Sequence, residues 1–391
     1  MIKINKLTDL NKINLTHNQI YKPFEKKIID FLQQLSNCLM KDKSNIEYPE
    51  IISFAYWIRK SNIIKFEKKL NILKNEHRVG RGLVLHIPPS NVITGFLYSW
   101  AFGLISGNSN IIKVPSSNNI LNRKILSLIE NLLSKKKNSF LAKNNFFVYY
   151  NNDESINEFL SLKADCRLVW GGDKTVKKFK NYKTQIHNVD LFFADRYSFS
   201  VMQLDDKSNL ISLANNFYND AFVMDQNACS SPHLIIWHRT KKKQINKFWN
   251  ELEKISNKKY DIDIGNAYKK FESKINHLIN VKNFSTLRTN GKNISRIEIN
   301  KLQKNIDSLR GKFGQFFEFK TNDTSFLKFV GKKYQTLAVY GIDKKFLINK
   351  IISMKLRGID RVVDIGSSNS ITLLWDGYDI VRNLSRVINE E

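Results

Sequence analysis

The chain has 391 residues, 63 of them Lys or Arg against 36 Asp or Glu, and a formal net charge of +27. Its 42% hydrophobic content is enough for a folded core and excludes a chain that is mainly a disordered basic tail. The lack of an apolar run of about 18 residues excludes a membrane-spanning helix. Three widely spaced cysteines exclude a disulfide framework and, with an N-terminus that lacks a signal sequence, predict a cytoplasmic protein.

Helices are predicted first along the chain, and a regular alternation of strands and helices follows them. Apolar residues recur at helical spacing through residues 20–75. The pattern then predicts a strand over 83–87, a helix over 92–106, a strand over 110–114 and a helix over 118–135. This alternation is typical of an α/β fold with a parallel sheet.

The alternation continues and then weakens. Further strands are predicted over 146–150, 166–170, 198–203, 233–237, 337–340, 362–365 and 372–375. Because the regular pattern weakens after the strand that ends near 203, we place a domain boundary there, which divides the chain into 1–204 and 205–391.

Four loops at strand ends carry side chains suited to binding or reaction: HIPPSNVIT, NIIKVPSS, RLVWGGDKT and DQNACSSPH. Asn91 in the first loop is either a helix cap or a donor aimed at a developing negative charge. Lys113 in the second is either a ligand-binding lysine or a surface lysine with a buried stem. Gly171 and Gly172 in the third are compatible with a pyrophosphate site, although a bare Gly-Gly turn is a weak pattern.

Cys229 in the fourth loop differs from Cys38 and Cys166, which continue apolar patterns. Its neighbours are small or polar, which suits a partly open, reactive thiolate, although a lone cysteine more often packs than reacts. His233, four residues later, is a candidate for assisting the thiolate or for local hydrogen bonding. The histidines and cysteines show no spacing typical of a metal site, so no metal is predicted.

Several segments together resemble the bacterial long-chain acyl-CoA reductases, the luminescence-type component of fatty acid reductase complexes within the aldehyde dehydrogenase superfamily. They are GLVLHIPPSNV, SGNSNIIKVPS, VWGGDKT, FADRYSFSV, DAFVMDQNACSSPH, GKKYQTL and GIDRVVDIG. The resemblance implies an aldehyde-dehydrogenase-like fold with two Rossmann-type α/β domains. N-terminal helices and a cofactor-binding domain would occupy 1–204, and a catalytic domain with a C-terminal closing segment would occupy 205–391. Residues 1–75 match the family poorly.

The resemblance also implies a reaction. Cys229 takes the place of the family's nucleophile, whose thiolate attacks a fatty acyl-CoA thioester and releases coenzyme A, leaving an S-acyl enzyme that is reduced to an aldehyde. Asn91 matches the oxyanion-hole asparagine, which acts together with the N–H of the cysteine itself.

A nicotinamide cofactor is implied in the same way. Lys113 matches the lysine that holds the adenosine ribose, and Gly171, Gly172 and Thr175 lie where the superfamily places its cofactor loop and helix start. Ser116 stands three positions after Lys113, where many NAD-preferring relatives carry a Glu. A hydroxyl there accepts a 2′-phosphate that a carboxylate would repel, which favours NADPH.

Reduction is favoured over oxidation, because the stretch FFADRYSFS lacks the Glu that activates water in oxidising aldehyde dehydrogenases.

Two alternatives stay open from the residues: a short-chain CoA-acylating aldehyde dehydrogenase working in the opposite direction, and a basic nucleic-acid-binding protein. The family further implies a homo-oligomer and a partner protein that activates the acyl group. The positive charge is dispersed, which argues against nucleic acid and suits two polyanions, NADPH and coenzyme A.

Overall fold

The structure is a computed structural model that describes residues 2–5, 7–13, 15, 19–71, 76–89, 94–115 and 120–390. The chain divides into two compact units, one formed by Met1–Ala194 with Thr372–Glu391 and the other by Asp195–Ile371. Within the described ranges no helix is both long and apolar enough to cross a membrane. The helices are α1 (Lys26–Lys41), α2 (Pro49–Trp57), α3 (Lys60–Leu70), α4 (Gly95–Ile105), α5 (Ile120–Leu133), α6 (Ser139–Ala142), α7 (Glu154–Lys163), α8 (Asp173–Asn181), α9 (Leu210–Ala221), α10 (Lys242–Lys259), α11 (Ile264–Asn280), α12 (Lys344–Ser353) and α13 (Ile380–Leu384).

The strands alternate with these helices in both units, as the sequence predicts. They are β1 (Ile2–Lys3), β2 (His77–Gly80), β3 (Leu83–Ile87), β4 (Ser109–Lys113), β5 (Asn145–Tyr149), β6 (Cys166–Trp170), β7 (Val189–Phe193), β8 (Tyr197–Met202), β9 (Pro232–His238), β10 (Phe284–Asn290), β11 (Ile294–Ile299), β12 (Gln315–Thr321), β13 (Tyr334–Tyr340), β14 (Arg361–Asp364), β15 (Leu374–Trp375), β16 (Tyr378–Asp379) and β17 (Ser385–Ile388).

The first unit is built on a six-stranded sheet in the order β1-β5-β4-β3-β6-β7, in which neighbouring strands are parallel. All five residues of β3 are buried, as expected for an apolar run inside a parallel sheet. The chain passes from β3 to β4 and β5 on one side and then returns to β6 on the other. The carboxyl end of β3 is therefore a topological switch point, where open α/β sheets bind ligands.

A buried polar network joins β3 to α4, β4 and β5. His86 Nδ1 lies 2.8 Å from Ser99 Oγ, and His86 Nε2 lies 2.9 Å from Asn110 Oδ1. Asn145 Oδ1 accepts from the Asn110 amide and from the Trp100 indole N–H, both at 2.8 Å. Burial lowers the pKa of His86 to about 4, so the imidazole is neutral near pH 7. The network fixes β3 against its neighbours beside the switch point.

The second unit is built on a seven-stranded sheet in the order β10-β11-β12-β9-β8-β13-β14. β10 is antiparallel to β11, and the other neighbouring pairs are parallel. Leu234 and Ile236 of β9 belong to one apolar cluster, whereas Ile235 and Trp237 belong to another. Because side chains alternate along a strand, the two clusters cover opposite faces of the sheet.

The structure corrects the domain boundary drawn from the sequence. Residue 204 lies after β8, and β8 pairs with β9 and β13 of the second sheet, so the units divide before β8, at 194/195. Residues 372–391, which the sequence assigned to the second domain, belong to the first unit, where β17 pairs with β2. Arg78 of β2 reinforces this pairing by donating to the carbonyl oxygens of Arg382 and Ser385 at 2.8 and 3.0 Å.

Candidate active site

Cys229 lies in the connection between α9, which ends at Ala221, and β9, which begins at Pro232. It therefore lies at the amino edge of the second sheet. Asp225 and Gln226 in the same connection have left-handed backbone conformations, with φ of 52° and 60°. Two successive residues of this kind cost free energy when neither is glycine, so other contacts must hold the turn.

The Gln226 side chain holds this turn. It is 1% exposed, and its Oε1 accepts from the N–H groups of Gly314 and Gln315, both at 3.1 Å. Its Nε2 donates to the carbonyl oxygens of Pro232 and Gln315 at 2.9 and 2.8 Å. The amide thus ties the connection to the starts of β9 and β12 through four buried hydrogen bonds.

Cys229 is a free, partly exposed thiol, whereas Cys166 is buried. Burial raises the pKa of the Cys166 thiol to about 12, which makes that cysteine unreactive, as its apolar strand predicts. The Cys229 carbonyl oxygen accepts a hydrogen bond from Ser198 Oγ at 2.7 Å. Among the described residues the Cys229 N–H donates no hydrogen bond. A reachable sulfur beside an unused donor is the arrangement that acyl transfer requires.

The two serines after Cys229 are both anchored. Ser231 Oγ donates to the Asp220 carbonyl oxygen at 2.8 Å. Ser230 Oγ donates to Asn369 Oδ1 at 2.8 Å, and Asn369 Nδ2 donates to the same Asp220 carbonyl at 3.1 Å. The end of α9 and the loop around Asn369 therefore fix the backbone on the carboxyl side of Cys229.

The Asp220 side chain in turn holds the loop that carries Asn369. Its buried carboxylate accepts from the N–H groups of Gly366 and Ser368 at 2.6 and 2.9 Å, and from Ser368 Oγ at 2.9 Å. Burial raises the pKa of Asp220 to about 6, although these donors favour the ionised form. Sequence patterns do not indicate this network, because the partners lie 146 and 148 residues apart in the chain.

His233, the residue predicted to assist the thiolate, is fully buried and is hydrogen-bonded to Arg310, whose Nε donates to His233 Nε2 at 3.3 Å. Burial, and after it the Arg310 charge, lowers the pKa of His233 well below its usual value, so the imidazole is neutral. Its Nδ1 has no hydrogen-bond partner among the described residues. A direct role of His233 toward Cys229 therefore stays a prediction.

Arg310 is a residue of this site that sequence patterns did not single out. Its Nη2 donates to the Ala228 carbonyl oxygen at 3.4 Å, and its Nη1 lies 3.6 Å from Asp195 Oδ1. A positive charge is thereby held against the residue that precedes Cys229. The segment LRGKFG that carries Arg310 has no periodicity that could have indicated this contact.

Lys113 ends β4, at the carboxyl edge of the first sheet, as the sequence predicts. Its Nζ lies 4.4 Å from the centre of the Tyr150 ring. Burial, and after it the nearby Lys178 charge, lowers the pKa of Lys113. In the described part of the chain no carboxylate pairs with it, so its charge suits an anionic ligand. Ser116 lies outside the described residues, and so does Asn91.

Gly171 and Gly172 follow β6 and lead into α8, whose first turn contains Thr175. A Cβ at Gly171 would lie 2.9 Å from Thr175 Cβ, so this close approach requires glycine. Gly172 is the N-cap residue, and no side chain caps the first N–H groups of α8. These donors and the positive end of the helix suit a phosphate. Because β6 pairs with β3, this helix start lies beside the switch point.

The predicted residues thus fall into two sets. Lys113, Gly171, Gly172 and Thr175 share the carboxyl edge of the first sheet, whereas Cys229 and His233 belong to the second unit. Across the described ranges no group of three or more His, Cys, Asp or Glu side chains is placed to hold a metal ion.

Comparison with known proteins gives a consistent result. A family model described as Acyl-CoA reductase (LuxC) matches residues 59–389. No curated protein matches the sequence. The solved structure of glyceraldehyde-3-phosphate dehydrogenase GapN from Methanocaldococcus jannaschii, complexed with NADP, matches with a TM-score of 0.64 at 13% identity, over 93% of this chain and 88% of that one.

Two further solved structures show the same fold. A NAD-dependent benzaldehyde dehydrogenase from Corynebacterium glutamicum matches with a TM-score of 0.61 at 12% identity, over 94% of this chain and 85% of that one. Proline utilization A, solved with proline bound in remote sites, matches with a TM-score of 0.63 at 13% identity over 94% of this chain. The present chain spans 43% of that larger protein. These similarities confirm the predicted aldehyde-dehydrogenase-like α/β fold.

Proposed function

The chain belongs to the acyl-CoA reductase (LuxC) family, and from that premise we propose that it reduces a long-chain fatty acyl-CoA to the fatty aldehyde with NADPH, through an S-acyl intermediate on Cys229. Family membership makes the protein an oxidoreductase of the acyl-CoA reductase type. One observation supports the finer proposal above all: the Cys229 thiol is partly exposed, and its N–H has no partner among the described residues.

The first step of the proposed reaction takes place at Cys229. The thiolate attacks the thioester carbonyl carbon, so that a carbon–sulfur bond to Cys229 forms and the bond to the coenzyme A sulfur breaks. The Cys229 N–H and the Asn91 amide donate to the oxygen on which negative charge develops. Coenzyme A leaves as a thiolate that takes up a proton from water. After reduction of the acyl carbon, the carbon–sulfur bond to Cys229 breaks and the aldehyde is released.

Residues at the carboxyl edge of the first sheet fit the phosphates of NADPH. The uncapped start of α8 offers N–H donors, Gly171 permits close approach, and Lys113 offers an ammonium group. NADPH supplies a hydride when it is bound. We assign Ser116 to the 2′-phosphate on the charge argument alone, and Thr175 to the helix start that faces the phosphates.

Reduction rather than hydrolysis of the acyl enzyme is supported by the surroundings of the stretch FFADRYSFS. Its single carboxylate, Asp195, lies 3.6 Å from Arg310 Nη1. A carboxylate engaged with an arginine is poorly placed to activate water. The acyl enzyme therefore survives until it is reduced.

The remaining proposals rest on the family resemblance. They are a partner protein that activates the acyl group, a homo-oligomeric enzyme and a cytoplasmic location. Family membership favours an enzyme over the nucleic-acid-binding alternative. The short-chain CoA-acylating aldehyde dehydrogenase is distinguished from the proposed enzyme by the acyl chain length that it prefers.

The decisive experiment measures NADPH oxidation across a series of acyl-CoA chain lengths. Wild type and the control Cys38→Ala should turn over long-chain substrates, whereas Cys229→Ala should be inactive. Intact mass after incubation with acyl-CoA, without NADPH, should show one added acyl group in the first two proteins and none in Cys229→Ala. Full activity of Cys229→Ala would refute the proposed mechanism, and faster turnover of short acyl chains would favour the alternative enzyme.

The cofactor preference is tested separately. Wild type should use NADPH better than NADH, and Ser116→Glu should reverse that preference by charge repulsion of the 2′-phosphate. A wild-type enzyme that works much faster with NADH would refute the role assigned to Ser116.

A further inference from the structure

Helix α11 carries its apolar residues on the surface of the protein. Five large side chains are well exposed: Ile264 (91%), Tyr268 (70%), Phe271 (56%), Ile275 (40%) and Ile279 (74%). Their successive spacings of four, three, four and four residues place them within about 80° of one another around the helix axis. We call these five residues the outer stripe.

The side of α11 that faces the protein is mainly polar, although Leu278 packs there against the core of the second unit. The buried residues of α11 are Lys270 and His277. Lys270 Nζ donates to the Asn293 carbonyl oxygen at 2.7 Å, and the His277 ring lies 5.1 Å from the Phe317 ring. A surface helix normally turns its apolar side to the core, so α11 is amphipathic in the reverse sense. A contiguous apolar stripe on a surface marks contact with another molecule.

We propose that the outer stripe binds the outer stripe of a second copy of this chain, as an antiparallel pair of α11 helices around a twofold axis. The stripe is nearly symmetric about the middle of the helix. Ile264 and Ile279 are equally far from that middle, and so are Tyr268 and Ile275. An antiparallel pair therefore sets Ile264 against Ile279 and Tyr268 against Ile275, with both copies of Phe271 near the axis.

The exposed area of the stripe suits such a contact. With about 200 Å² for a fully exposed large side chain, the five exposed fractions amount to roughly 650 Å². This is most of the ~800 Å² that one partner contributes to a standard protein interface. The stripe alone therefore comes close to supporting a dimer.

The oligomeric state of the full chain tests the proposal. Sedimentation velocity of wild type should show a dimer, and Tyr268→Glu/Ile275→Glu should weaken dimerisation on the order of a hundredfold or more, because four charges enter an apolar contact. The control Ile352→Glu alters another exposed residue of the same unit, at 68% exposure, and should stay dimeric. Circular dichroism and the thermal midpoint should match wild type, because the altered side chains are exposed. A monomeric wild type, or a double variant that dimerises as well as wild type, would overturn the proposal.

A cross-link tests the orientation. Mixed subunits of Ile264→Cys and Ile279→Cys should form a disulfide between residues 264 and 279, identified by mass spectrometry of the linked peptide. Either variant alone should form far less disulfide at these positions, because an antiparallel pair sets 264 of one copy at the far end from 264 of the other. A 264–264 disulfide that forms faster than the mixed one would overturn the antiparallel arrangement. A dimer without the 264–279 link would overturn it as well.

Discussion

The two sheets carry their candidate residues at opposite edges. In the first unit Lys113 and the Gly171-Gly172 turn follow the carboxyl ends of β4 and β6, whereas in the second unit Cys229 precedes the amino end of β9. Helices begin at the carboxyl edge of a parallel α/β sheet, and their N-termini favour anions. Helices end at the amino edge, where the partial charge is negative. The same kind of layer therefore suits a phosphate at its carboxyl edge and offers no such helix start at its amino edge.

The difference shows in how each site is built. The first site uses mostly backbone: the start of α8, a glycine that permits close approach, and one ammonium group. The second uses side chains to hold the backbone around Cys229, namely those of Ser198, Gln226 and Arg310. We therefore expect single substitutions to do more damage in the second unit than in the first.

The largest expected effect comes from Gln226→Ala. It removes four buried hydrogen bonds, each worth about 1 kcal/mol, so the free energy of unfolding of the second unit should fall by about 4 kcal/mol. Guanidinium unfolding, followed by fluorescence, measures the loss. The control Gln185→Ala removes an exposed amide with one bond to the Lys163 carbonyl oxygen and should change stability by less than about 0.5 kcal/mol. Equal losses of unfolding free energy in the two variants would show that the Gln226 side chain does not hold the loop around Cys229.

Arg310→Met comes next. Loss of the bond to the Ala228 carbonyl oxygen should slow acylation of Cys229 by about a hundredfold while the KM for NADPH stays unchanged. Single-turnover formation of the acyl enzyme without NADPH gives the rate directly. Arg288→Met, which removes an arginine 3.9 Å from Glu298, serves as the control and should leave the rate unchanged. A raised KM for NADPH with normal acylation would show that Arg310 does not position the thiol.

His86 provides a smaller effect in the first unit. Its pKa is about 4 in the folded chain against 6.5 ordinarily, so the folded state binds fewer protons than the unfolded state between these pH values. The free energy of unfolding should therefore fall as the pH is lowered through this window, by about 2 kcal/mol between pH 7.5 and pH 5 for this group.

Denaturant unfolding at the two pH values checks the expectation. His86→Gln should remove this part of the pH dependence, whereas His187→Gln, which alters an exposed histidine, should keep it. If the stability of His86→Gln depended on pH as the wild type does, protonation of His86 would not be the cause of that dependence.

Lys113→Met has the smallest expected effect. Removing one ammonium group from a site that also uses backbone donors should weaken NADPH binding by about tenfold at low salt and by less at high salt, with kcat nearly unchanged. Titration of NADPH fluorescence measures binding. Lys135→Met alters an exposed lysine and is the control. A large fall in kcat without weaker binding would place Lys113 in a different role.

Sequence patterns predict the site of the first unit, which uses mostly backbone groups, better than the site of the second unit, which side chains hold in place. The end of β4 at Lys113 and the Gly171-Gly172 turn lie where the sequence predicts them, because strand ends and turns depend on residues that are neighbours in the chain. Cys229 was found from the composition of its own loop. Gln226 and Arg310 were not identified, since their contacts reach residues 89 and 82 positions away in the chain.

The error in the domain boundary has the same physical origin. The alternation of strands and helices predicts elements, but it does not predict which sheet a strand joins. β8 pairs with β13, and β17 pairs with β2, across long separations in sequence. Which strands pair depends on packing between residues that are far apart in the chain, and a short stretch of sequence does not contain that information.

The pairing of β17 with β2 also sets the order in which the protein can be completed on the ribosome. The second unit is continuous, Asp195–Ile371, so all of its residues are synthesised before Thr372 is added. The first unit must wait for residues 372–391, and until then Arg78 lacks the carbonyl oxygens of Arg382 and Ser385 that it binds in the folded chain. The unit whose synthesis begins first is therefore the one that receives its last strand only after the other unit has been fully synthesised.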